Sequence, residues 1–401
     1  MLPPYTNEKG FQRKIKREIK AKEHSYILKV PPFFTDEAQY EIEQRGIAEN
    51  PVRTDAGIEL KGQIDLLYRM HLELQVPSRI LMAVDEFRAG AVEELFRKTA
   101  RIPWELYINP LLPVKIRSRV RNSRIGHEGS AAKTLIDAVN IRFSTLPGSV
   151  YVREHTGRTN AGTPVAYQQI YLTVNNNQCR LSIDTSGEHL HKRGYRTLAS
   201  DAPIRETLAA GFLIWVLKRT GQPDCILDPM CGSGTLPIES AMMSSLSSIH
   251  KENQLRRFRF EDLPWHRRAA WEYEKKQPLH PLIQPVPVYA SDIDGKTAAA
   301  AETNGAGSPI SFSTASFFSC RSGGYPSPGP GIILANLPYG IRRPEGDRDF
   351  FKKFRNHCRD AFPGWTAACI CPEQMVSGGV RDRISFYNGG IRVQGMILDI
   401  Y

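Results

Sequence analysis

The sequence predicts an α/β protein whose second half contains a mostly parallel sheet. Short apolar segments alternate there with helix-like segments, a pattern that favours parallel strands joined by crossover helices. The apolar segments are 225–227, 286–290, 332–335 and 367–370. Near the C-terminus, residues 384–398 are typical of an antiparallel hairpin with Asn388-Gly389 as its turn. We therefore expect a mostly parallel sheet that ends in an antiparallel hairpin.

Composition limits the possible classes of protein. The chain has 401 residues, enough for two or three domains with a sizeable core. Its net charge of +11 favours an anionic partner, most commonly nucleic acid, although a basic surface can simply aid solubility. The seven cysteines form no Cys-x-x-Cys pair, so we expect neither a disulfide framework nor a metal site, and the free thiols suit a reducing compartment. No apolar stretch is long enough to cross a membrane, and we expect a cytoplasmic protein without a membrane partner.

A glycine-rich turn follows the first of the apolar segments. It spans residues 228–235, Asp-Pro-Met-Cys-Gly-Ser-Gly-Thr, and precedes a helix-like stretch. Gly232 and Gly234 let the backbone approach a ligand without a Cβ in the way. The N–H groups at the start of the following helix favour a negative group such as a carboxylate. Such a turn alone is a weak signal, because many strand-to-helix turns look similar.

A second polar motif, Asn336-Leu-Pro-Tyr-Gly340, follows the apolar segment 331–335. The carboxyl ends of parallel strands meet at one edge of a sheet, where open α/β folds bind ligands. The alternative is a loop that holds a buried aromatic. The order of the two motifs, each after a strand, favours a single pocket that both of them line.

The two motifs resemble motifs I and IV of the class I S-adenosylmethionine-dependent methyltransferases. Upstream, 184–196 and 202–210 resemble the THUMP-domain RNA methyltransferases that modify N2 of guanosine. This resemblance begins near residue 25 and is most specific in the second half. It implies a basic arm and a ferredoxin-like α+β domain at 1–100, a THUMP RNA-binding domain at 101–186, and a Rossmann-like methyltransferase domain with a seven-stranded sheet at 187–401.

The resemblance implies S-adenosylmethionine as the cofactor and assigns residues to its parts. Asp228 is expected to reach the ammonium group, and Asp292 to accept the ribose hydroxyls in preference to Asp294, a predicted helix cap. Ser316 stands where relatives have an Asp for adenine, and Phe317 would flank the adenine ring, with core packing as its alternative. The complete predicted cofactor set is Asp228, Cys231, Gly232, Gly234, Thr235, Asp292, Ile293, Ser316 and Phe317.

The predicted catalytic residues are Asn336, Leu337, Pro338 and Tyr339. The Asn336 side-chain oxygen and the Leu337 carbonyl would accept the two amino hydrogens of the target base and align its nitrogen with the methyl group. Leu337 replaces the usual proline, which is tolerated if only its carbonyl is used. Pro338 would fix the turn, and Tyr339 would stack on a base that has left its own stack.

Two clusters of cations are candidates for RNA contact. In the predicted strand 114–121, the period of two places alternate residues on one face, where phosphates could neutralise their charges; a solvated face is the alternative. A linker cluster could guide RNA or pin the two halves of the chain together, and both interpretations stay open. Arg342, Arg343 and His191 are further candidates. The basic stretch 10–22 could also grip RNA, but a solvated tail is the favoured interpretation. The predicted RNA-binding residues are Lys115, Arg117, Arg119, Arg121, Lys192, Arg193, Tyr195 and Arg196.

The resemblance implies an RNA methyltransferase that acts on the exocyclic N2 of a guanosine. Ribosomal RNA of the large subunit, 23S rRNA, is the favoured substrate, and tRNA is the alternative. A DNA adenine-N6 methyltransferase shares the second motif, but the basic N-terminal half and the segment 190–195 argue against it. A non-catalytic RNA-binding protein is the remaining alternative, for which Ser316 is the only hint.

Overall fold

The computed structural model describes residues 3–148, 150–155, 166–198, 203–244, 256–339 and 348–400. The N-terminal half forms one mixed sheet of seven strands in the order β2-β3-β1-β4-β7-β6-β5. Only β5 and β6 pair in parallel, and the remaining neighbours are antiparallel. Its strands are β1 His24–Lys29, β2 Val52–Thr54, β3 Gly57–Gly62, β4 Arg79–Arg88, β5 Val114–Arg121, β6 Gln168–Asn175 and β7 Gln178–Asp184.

One face of this N-terminal sheet is buried and the other is open. Along β6, Ile170, Leu172 and Val174 are buried, whereas Thr173 and Asn175 are exposed, as expected for a half-covered sheet. The helices of this half are α1 Lys9–Ile15, which continues as a π-helical turn Lys16–Lys20, α2 Thr35–Gln44, α3 Ile64–Glu73, α4 Val92–Arg101 and α5 Glu128–Ser144.

The two predicted N-terminal domains share this sheet. Strand β4 lies in the first predicted domain and β7 in the second, and they pair from Leu81↔Asp184 to Arg88↔Gln178. The predicted boundary near residue 100 therefore does not separate two sheets. The ferredoxin-like and THUMP assignments stay predictions, as do the three domain boundaries.

The C-terminal half contains the predicted parallel sheet. Its order is β10-β9-β8-β11-β12-β14-β13, and the neighbours from β10 to β12 pair in parallel. Strand β14 is antiparallel to both β12 and β13. The fold class predicted for this half is confirmed. The strands are β8 Ile226–Asp228, β9 Val288–Asp292, β10 Ile310–Thr314, β11 Ile332–Asn336, β12 Thr366–Cys371, β13 Val380–Asn388 and β14 Ile391–Leu398.

Helices follow the strands of this sheet and bury its centre. The first four residues of β11 and the last five of β12 are buried, as expected for parallel strands covered on both faces. The helix that precedes the sheet is also apolar and buried over most of its length. The helices are α6 Glu206–Thr220, α7 Thr235–Met243, α8 Arg268–Glu274, α9 Gly295–Asn304 and α10 Arg348–Ala361.

The terminal hairpin is present, but its turn lies one residue further along than predicted. Asn388 pairs with Ile391, so the two turn residues are Gly389 and Gly390. Their φ angles are 58° and 90°. A tight hairpin turn with two positive φ angles accepts glycine at both positions at no steric cost. The predicted Asn388-Gly389 turn is wrong because Asn388 is the last paired residue of β13.

The described residues were expected to contain neither a membrane-spanning helix nor a metal site. Among those residues, no helix is long and apolar enough to cross a membrane. No group of three or more His, Cys, Asp or Glu side chains is arranged to hold a metal ion in the same described ranges.

Candidate active site

The two sequence motifs meet at one edge of the C-terminal sheet. Strands β8 and β11 are parallel neighbours, with Ile332 opposite Ile226 and Ile333 opposite Leu227. Both strands therefore end at the same edge, and Asp228 and Asn336 line one narrow cleft. The other residues that line the cleft are Pro203, Ile204, Met230, Cys231, Gly232, Ser233, Thr235 and Leu236.

The glycine turn between β8 and α7 has the backbone geometry that the sequence predicts. Gly232 and Gly234 have φ angles of 54° and 89°, in the left-handed region that other residues rarely adopt. A Cβ on Gly234 would also lie 3.2 Å from the Ile238 side chain and 3.3 Å from Ala301 Cβ. Gly234 thus serves close packing of α7 as well as the turn. Helix α7 begins directly afterwards, at Thr235.

Asp228 is a buried carboxylate in the cleft. Its side chain is 1 % exposed, and its Oδ1 accepts a hydrogen bond from the Met230 N–H at 3.1 Å. Burial, followed by the neighbouring Asp292 carboxylate, raises the pKa of Asp228 well above its usual value. A cation at this position would stabilise the charged form of Asp228. The geometry therefore suits the predicted partner, an ammonium group.

Asp292 ends β9 beside the glycine turn. Its carboxylate accepts backbone hydrogen bonds from Gly232 at 3.0 Å and from Asp294 at 3.0 Å. The next residue, Ile293, is 73 % exposed and could cover a ligand only from the outside. Asp294 caps α9, since its side chain accepts from the Lys296 N–H at 3.0 Å and from the Thr297 hydroxyl at 2.8 Å. The structure thus gives Asp294 the capping role that the sequence predicts.

The segment after β10 differs from the prediction. Phe317 is 2 % exposed, and its ring centre lies 4.7 Å from His357 and 5.0 Å from Phe354. The predicted contact of Phe317 with adenine is therefore wrong, because the ring is part of the core beneath α10. Ser316 is half-buried and remains a candidate, as does the exposed neighbour Phe318.

Asn336 carries an unused acceptor at the cleft. Its Oδ1 atom is buried and has no hydrogen-bond partner among the residues that the structure describes. The Ser233 hydroxyl, which belongs to the glycine turn, is likewise buried and without a hydrogen-bond partner among the described residues. Buried polar atoms are nearly always paired, and an unpaired one commonly marks a position where a ligand binds. Both walls of the cleft thus offer polar atoms that a ligand could satisfy.

The residues after Asn336 are held inside the protein. Leu337 is 1 % exposed, and its N–H donates to the Ile370 carbonyl at 3.0 Å. Tyr339 is 6 % exposed, and its hydroxyl accepts from Asn388 Nδ2 at 3.2 Å. The predicted stacking of a base on Tyr339 is not available in this conformation, because its ring is buried. Pro338 is half-buried between them, and Arg342 and Arg343 lie outside the described residues.

The linker cations turn out to join the two halves of the chain. Arg193 is 7 % exposed and makes two 3.2 Å contacts with the Glu239 carboxylate of α7. The Tyr195 hydroxyl donates to the same carboxylate at 3.0 Å. Arg196 Nη2 donates to the Thr235 hydroxyl at 2.7 Å. The prediction that these three residues contact RNA is therefore corrected in favour of the pinning role, and only Lys192 of the four is exposed.

The cationic strand β5 alternates as predicted. It lies at the edge of the N-terminal sheet. Arg117, Arg119 and Arg121 are exposed, and Lys115 is half-buried with its ammonium 5.8 Å from the centre of the Tyr167 ring. None of the four forms an ion pair with a carboxylate in the described part of the chain. We call Lys115, Arg117, Arg119 and Arg121 the β5 strip.

Comparison with known proteins identifies the C-terminal half. Residues 193–383 match the family described as RMKL-like, methyltransferase domain. A ribosomal RNA large subunit methyltransferase K/L from Syntrophotalea carbinolica is 29 % identical over 367 residues, which cover 86 % of this chain and 50 % of that protein. The chain spans about half the length of the first curated relatives that it matches.

Solved structures share the fold over nearly the whole chain. SMU.472, a methyltransferase solved as a complex with SAH, has a TM-score of 0.72 at 23 % identity, covering 94 % of this chain and 98 % of that one. A predicted N6-adenine-specific DNA methylase from Listeria monocytogenes has a TM-score of 0.75 at 23 % identity, covering 98 % and 99 %. The predicted class I fold is confirmed. The family match of residues 193–383 is to a methyltransferase domain.

Sequence reasoning missed three residues around the candidate site. Ile204 lines the cleft, Glu239 anchors the linker, and Asn388 holds Tyr339. Glu239 left a signal, because it is the only charged residue in the otherwise apolar stretch 235–243. A charge in a buried helix needs a partner, and the linker contains two arginines. Ile204 and Asn388 left no comparable signal.

Proposed function

We propose that this protein transfers a methyl group from S-adenosylmethionine to the exocyclic N2 of a guanosine in RNA, with large-subunit ribosomal RNA as the favoured substrate. The observation that carries the proposal is the unpaired Asn336 Oδ1, which lies in one cleft with the glycine turn of Gly232. An acceptor is thereby placed beside the predicted cofactor turn, where an amino group has to be held.

The cleft residues suit the two charged groups of the methionine part of the cofactor. The buried Asp228 carboxylate would accept a hydrogen bond from the ammonium group of the cofactor. The N–H groups at the start of α7 would face the cofactor's own carboxylate. Asp292 is placed to accept from the ribose, in exchange for one of its backbone hydrogen bonds. Cys231 and Thr235 complete the wall on this side. S-adenosylmethionine, when bound, supplies an electrophilic methyl group.

The protein's own contribution to the reaction is positioning and hydrogen bonding. Asn336 Oδ1 would accept one amino hydrogen of the guanine and the Leu337 carbonyl the other, which favours a pyramidal nitrogen with its lone pair toward the methyl group. Asn336 would also stabilise the positive charge that develops on this nitrogen. The methylated nitrogen loses its proton afterwards, so a strong base is not required. The side chain of Leu337 is buried, and only its carbonyl would take part.

RNA as the substrate is supported by the charge and the relatives. The β5 strip presents cations that lack carboxylate partners in the described residues, as expected for a surface that contacts phosphates. The relative from Syntrophotalea carbinolica, of which the alignment covers 50 %, is named a ribosomal RNA large subunit methyltransferase K/L. The likeness to the Listeria monocytogenes methylase concerns the fold alone, because the identity is 23 %. The alternative substrate is tRNA.

The test compares Asn336→Ala with the wild type. We expect methyl transfer to fall by about 100-fold or more, in the range observed when one hydrogen bond to a transition state is removed. The affinity for S-adenosylmethionine, measured by calorimetry, should stay nearly unchanged. Asn50→Ala, at an exposed position, is the matched control. Ribosomal RNA, tRNA and DNA would each be offered, with the modified nucleoside identified by mass spectrometry. A product other than N2-methylguanosine would refute the proposed function.

A further inference from the structure

A groove lies between the two halves of the chain, next to the candidate active site. It encloses about 410 Å³, within the range of sites that hold a small organic group. Five segments form it: the loop after β1, Ser78 before β4, the linker, the start of α6 and the tip of the terminal hairpin. Residues from these segments that line it are Val30, Phe33, His189, Arg205, Leu208 and Tyr387.

Two residues that line the groove are chain neighbours of residues that belong to the cleft or contact the second motif. Arg205 follows Ile204, which lines the cleft together with Asn336. Tyr387 precedes Asn388, whose side chain donates to the Tyr339 hydroxyl of the second motif. A strand of nucleic acid whose target base enters the cleft would therefore pass along this groove.

Aromatic rings stand exposed in the groove. Tyr387 is 58 % exposed and Phe33 is 56 % exposed, so each offers ring surface to a ligand. Phe33 has a φ of 77°, a backbone conformation that is costly for a bulky residue and tends to persist at functional sites. The chain neighbours of these two residues, Phe34 and Phe386, are buried, and their ring centres lie 5.1 Å apart.

The charge in the groove is positive. Arg205 is exposed, and its side chain makes no hydrogen bond or ion pair within the described ranges. No carboxylate is among the residues from those ranges that line the groove. The rings of His189 and His191 stack at 5.3 Å and 23°, and the Leu190 N–H between them is fixed to the Ser78 carbonyl at 2.9 Å. Burial is the main cause that lowers the pKa of His191 to about 4, which leaves a neutral ring.

We propose that this groove binds the single-stranded RNA nucleotides that flank the target guanosine, with a base stacked on Tyr387 and a phosphate held by Arg205. The inference rests on the proposed function and adds the subsite that holds the neighbouring nucleotides. A target base that leaves its stack leaves its neighbours without a stacking partner, and exposed aromatic rings replace that partner for any base. A lone exposed cation beside those rings matches the phosphate between two such bases.

The test measures RNA binding separately from methyl transfer. Fluorescence anisotropy with a short labelled single-stranded RNA should show about tenfold weaker binding for Tyr387→Ala, because base stacking on one ring is lost. Tyr387→Phe should bind like the wild type, since the ring is kept. Arg205→Gln should weaken binding and reduce its salt dependence. Tyr273→Ala is the matched control, at a ring that is 62 % exposed on α8.

A cross-linking experiment gives an independent result. RNA that carries 4-thiouridine beside the target guanosine should cross-link to peptides containing Phe33 or Tyr387. Unchanged RNA affinity in both Tyr387→Ala and Phe33→Ala, with cross-links only to the β5 strip, would overturn the proposal and assign the groove to a protein partner. Calorimetry with S-adenosylmethionine should give the same affinity in every variant. If the wild type binds and cross-links RNA but does not methylate guanosine, the proposed function fails while the groove remains an RNA site.

Discussion

Two clusters of cations that look alike in the sequence have opposite environments in the fold. The β5 strip lies on the open face of the N-terminal sheet, and Arg117, Arg119 and Arg121 are exposed. Arg193 and Arg196 of the linker instead contact the carboxylates of Glu239 and Glu206, both of which are buried. The density of cations is similar, but the arginines of the strip are exposed, whereas Arg193 and Arg196 already have carboxylate partners.

The difference arises from partners that are distant in the sequence. Glu239 lies 46 residues after Arg193, and its carboxylate also accepts from Gln75 Nε2 at 2.9 Å. Gln75 in turn accepts from Arg45, which directly follows α2, at 2.7 Å. A continuous buried network thus runs from the N-terminal half through the linker to the helix that follows the glycine turn. A cationic segment is a candidate for RNA contact only when no such buried carboxylate is available to it.

The largest expected effect is on the buried network. Glu239→Ala should lower the free energy of unfolding by about 3–5 kcal/mol, because it leaves Arg193 buried without its counter-charge. Arg193→Met should cost a similar amount. Urea unfolding followed by circular dichroism measures both variants. Arg117→Met in the β5 strip is the control and should stay within about 0.5 kcal/mol of the wild type. Linker variants as stable as this control would remove the distinction between the two clusters.

The sequence predicted the parts of the site that depend on local patterns. Gly232 and Gly234 occupy their positive-φ positions, Asp294 caps α9, and the β5 strip alternates as a strand should. These features depend on turn chemistry and on a period of two, which neighbouring residues determine.

The errors concern contacts between segments that are far apart in the chain. Phe317 is buried by residues of α10 and its following turn, and Tyr339 is held by Asn388 of the hairpin. The shared N-terminal sheet likewise depends on the pairing of β4 with β7, about a hundred residues later. Local patterns do not specify which distant segment covers a ring or pairs with a strand. The burial of Phe317 and Tyr339 and the pairing of β4 with β7 could therefore be seen only in the folded structure.

The second expected effect is on RNA affinity. Replacing Lys115, Arg117, Arg119 and Arg121 together by Gln should weaken RNA binding on the order of 100-fold at 0.1 M salt. The slope of log affinity against log salt concentration should fall by about 3 to 4, because each phosphate contact contributes close to one unit. Anisotropy titrations over a series of salt concentrations measure both quantities. A slope equal to that of the wild type would show that the strip is only solvated.

The third effect concerns pH and separates buried from exposed groups. His71 of α3 is 7 % exposed, and burial lowers its pKa to about 3. The unfolded chain binds a proton at this residue below about pH 6.5, while the folded chain does not, so stability falls as the pH decreases from 6.5 toward 3. Between pH 7 and pH 5 this group should cost about 2 kcal/mol of unfolding free energy.

His71→Phe removes this titration while keeping a ring against Phe258 and Phe260, whose centres lie 4.8 Å and 5.0 Å away. The loss of stability between pH 7 and pH 5 should therefore be about 2 kcal/mol smaller in the variant than in the wild type. The same substitution at the exposed His127 should leave the difference unchanged. Equal pH responses of the wild type and His71→Phe would mean that His71 is not buried in the neutral form.

The smallest effect is expected at Lys192, the one predicted RNA contact of the linker that is exposed. Its ammonium lies 3.4 Å from Glu188, and the two side chains are 58 % and 70 % exposed. Such a surface pair contributes little, so Lys192→Gln should change the free energy of unfolding by less than about 0.5 kcal/mol. If exposure decides which cations meet RNA, the same variant should still lower the salt slope of RNA binding by about one unit. Arg193 and Lys192 are adjacent, but they would then differ both in the free energy of unfolding and in the salt slope of RNA binding. An unchanged slope in Lys192→Gln would restrict RNA contact to the strip and the groove.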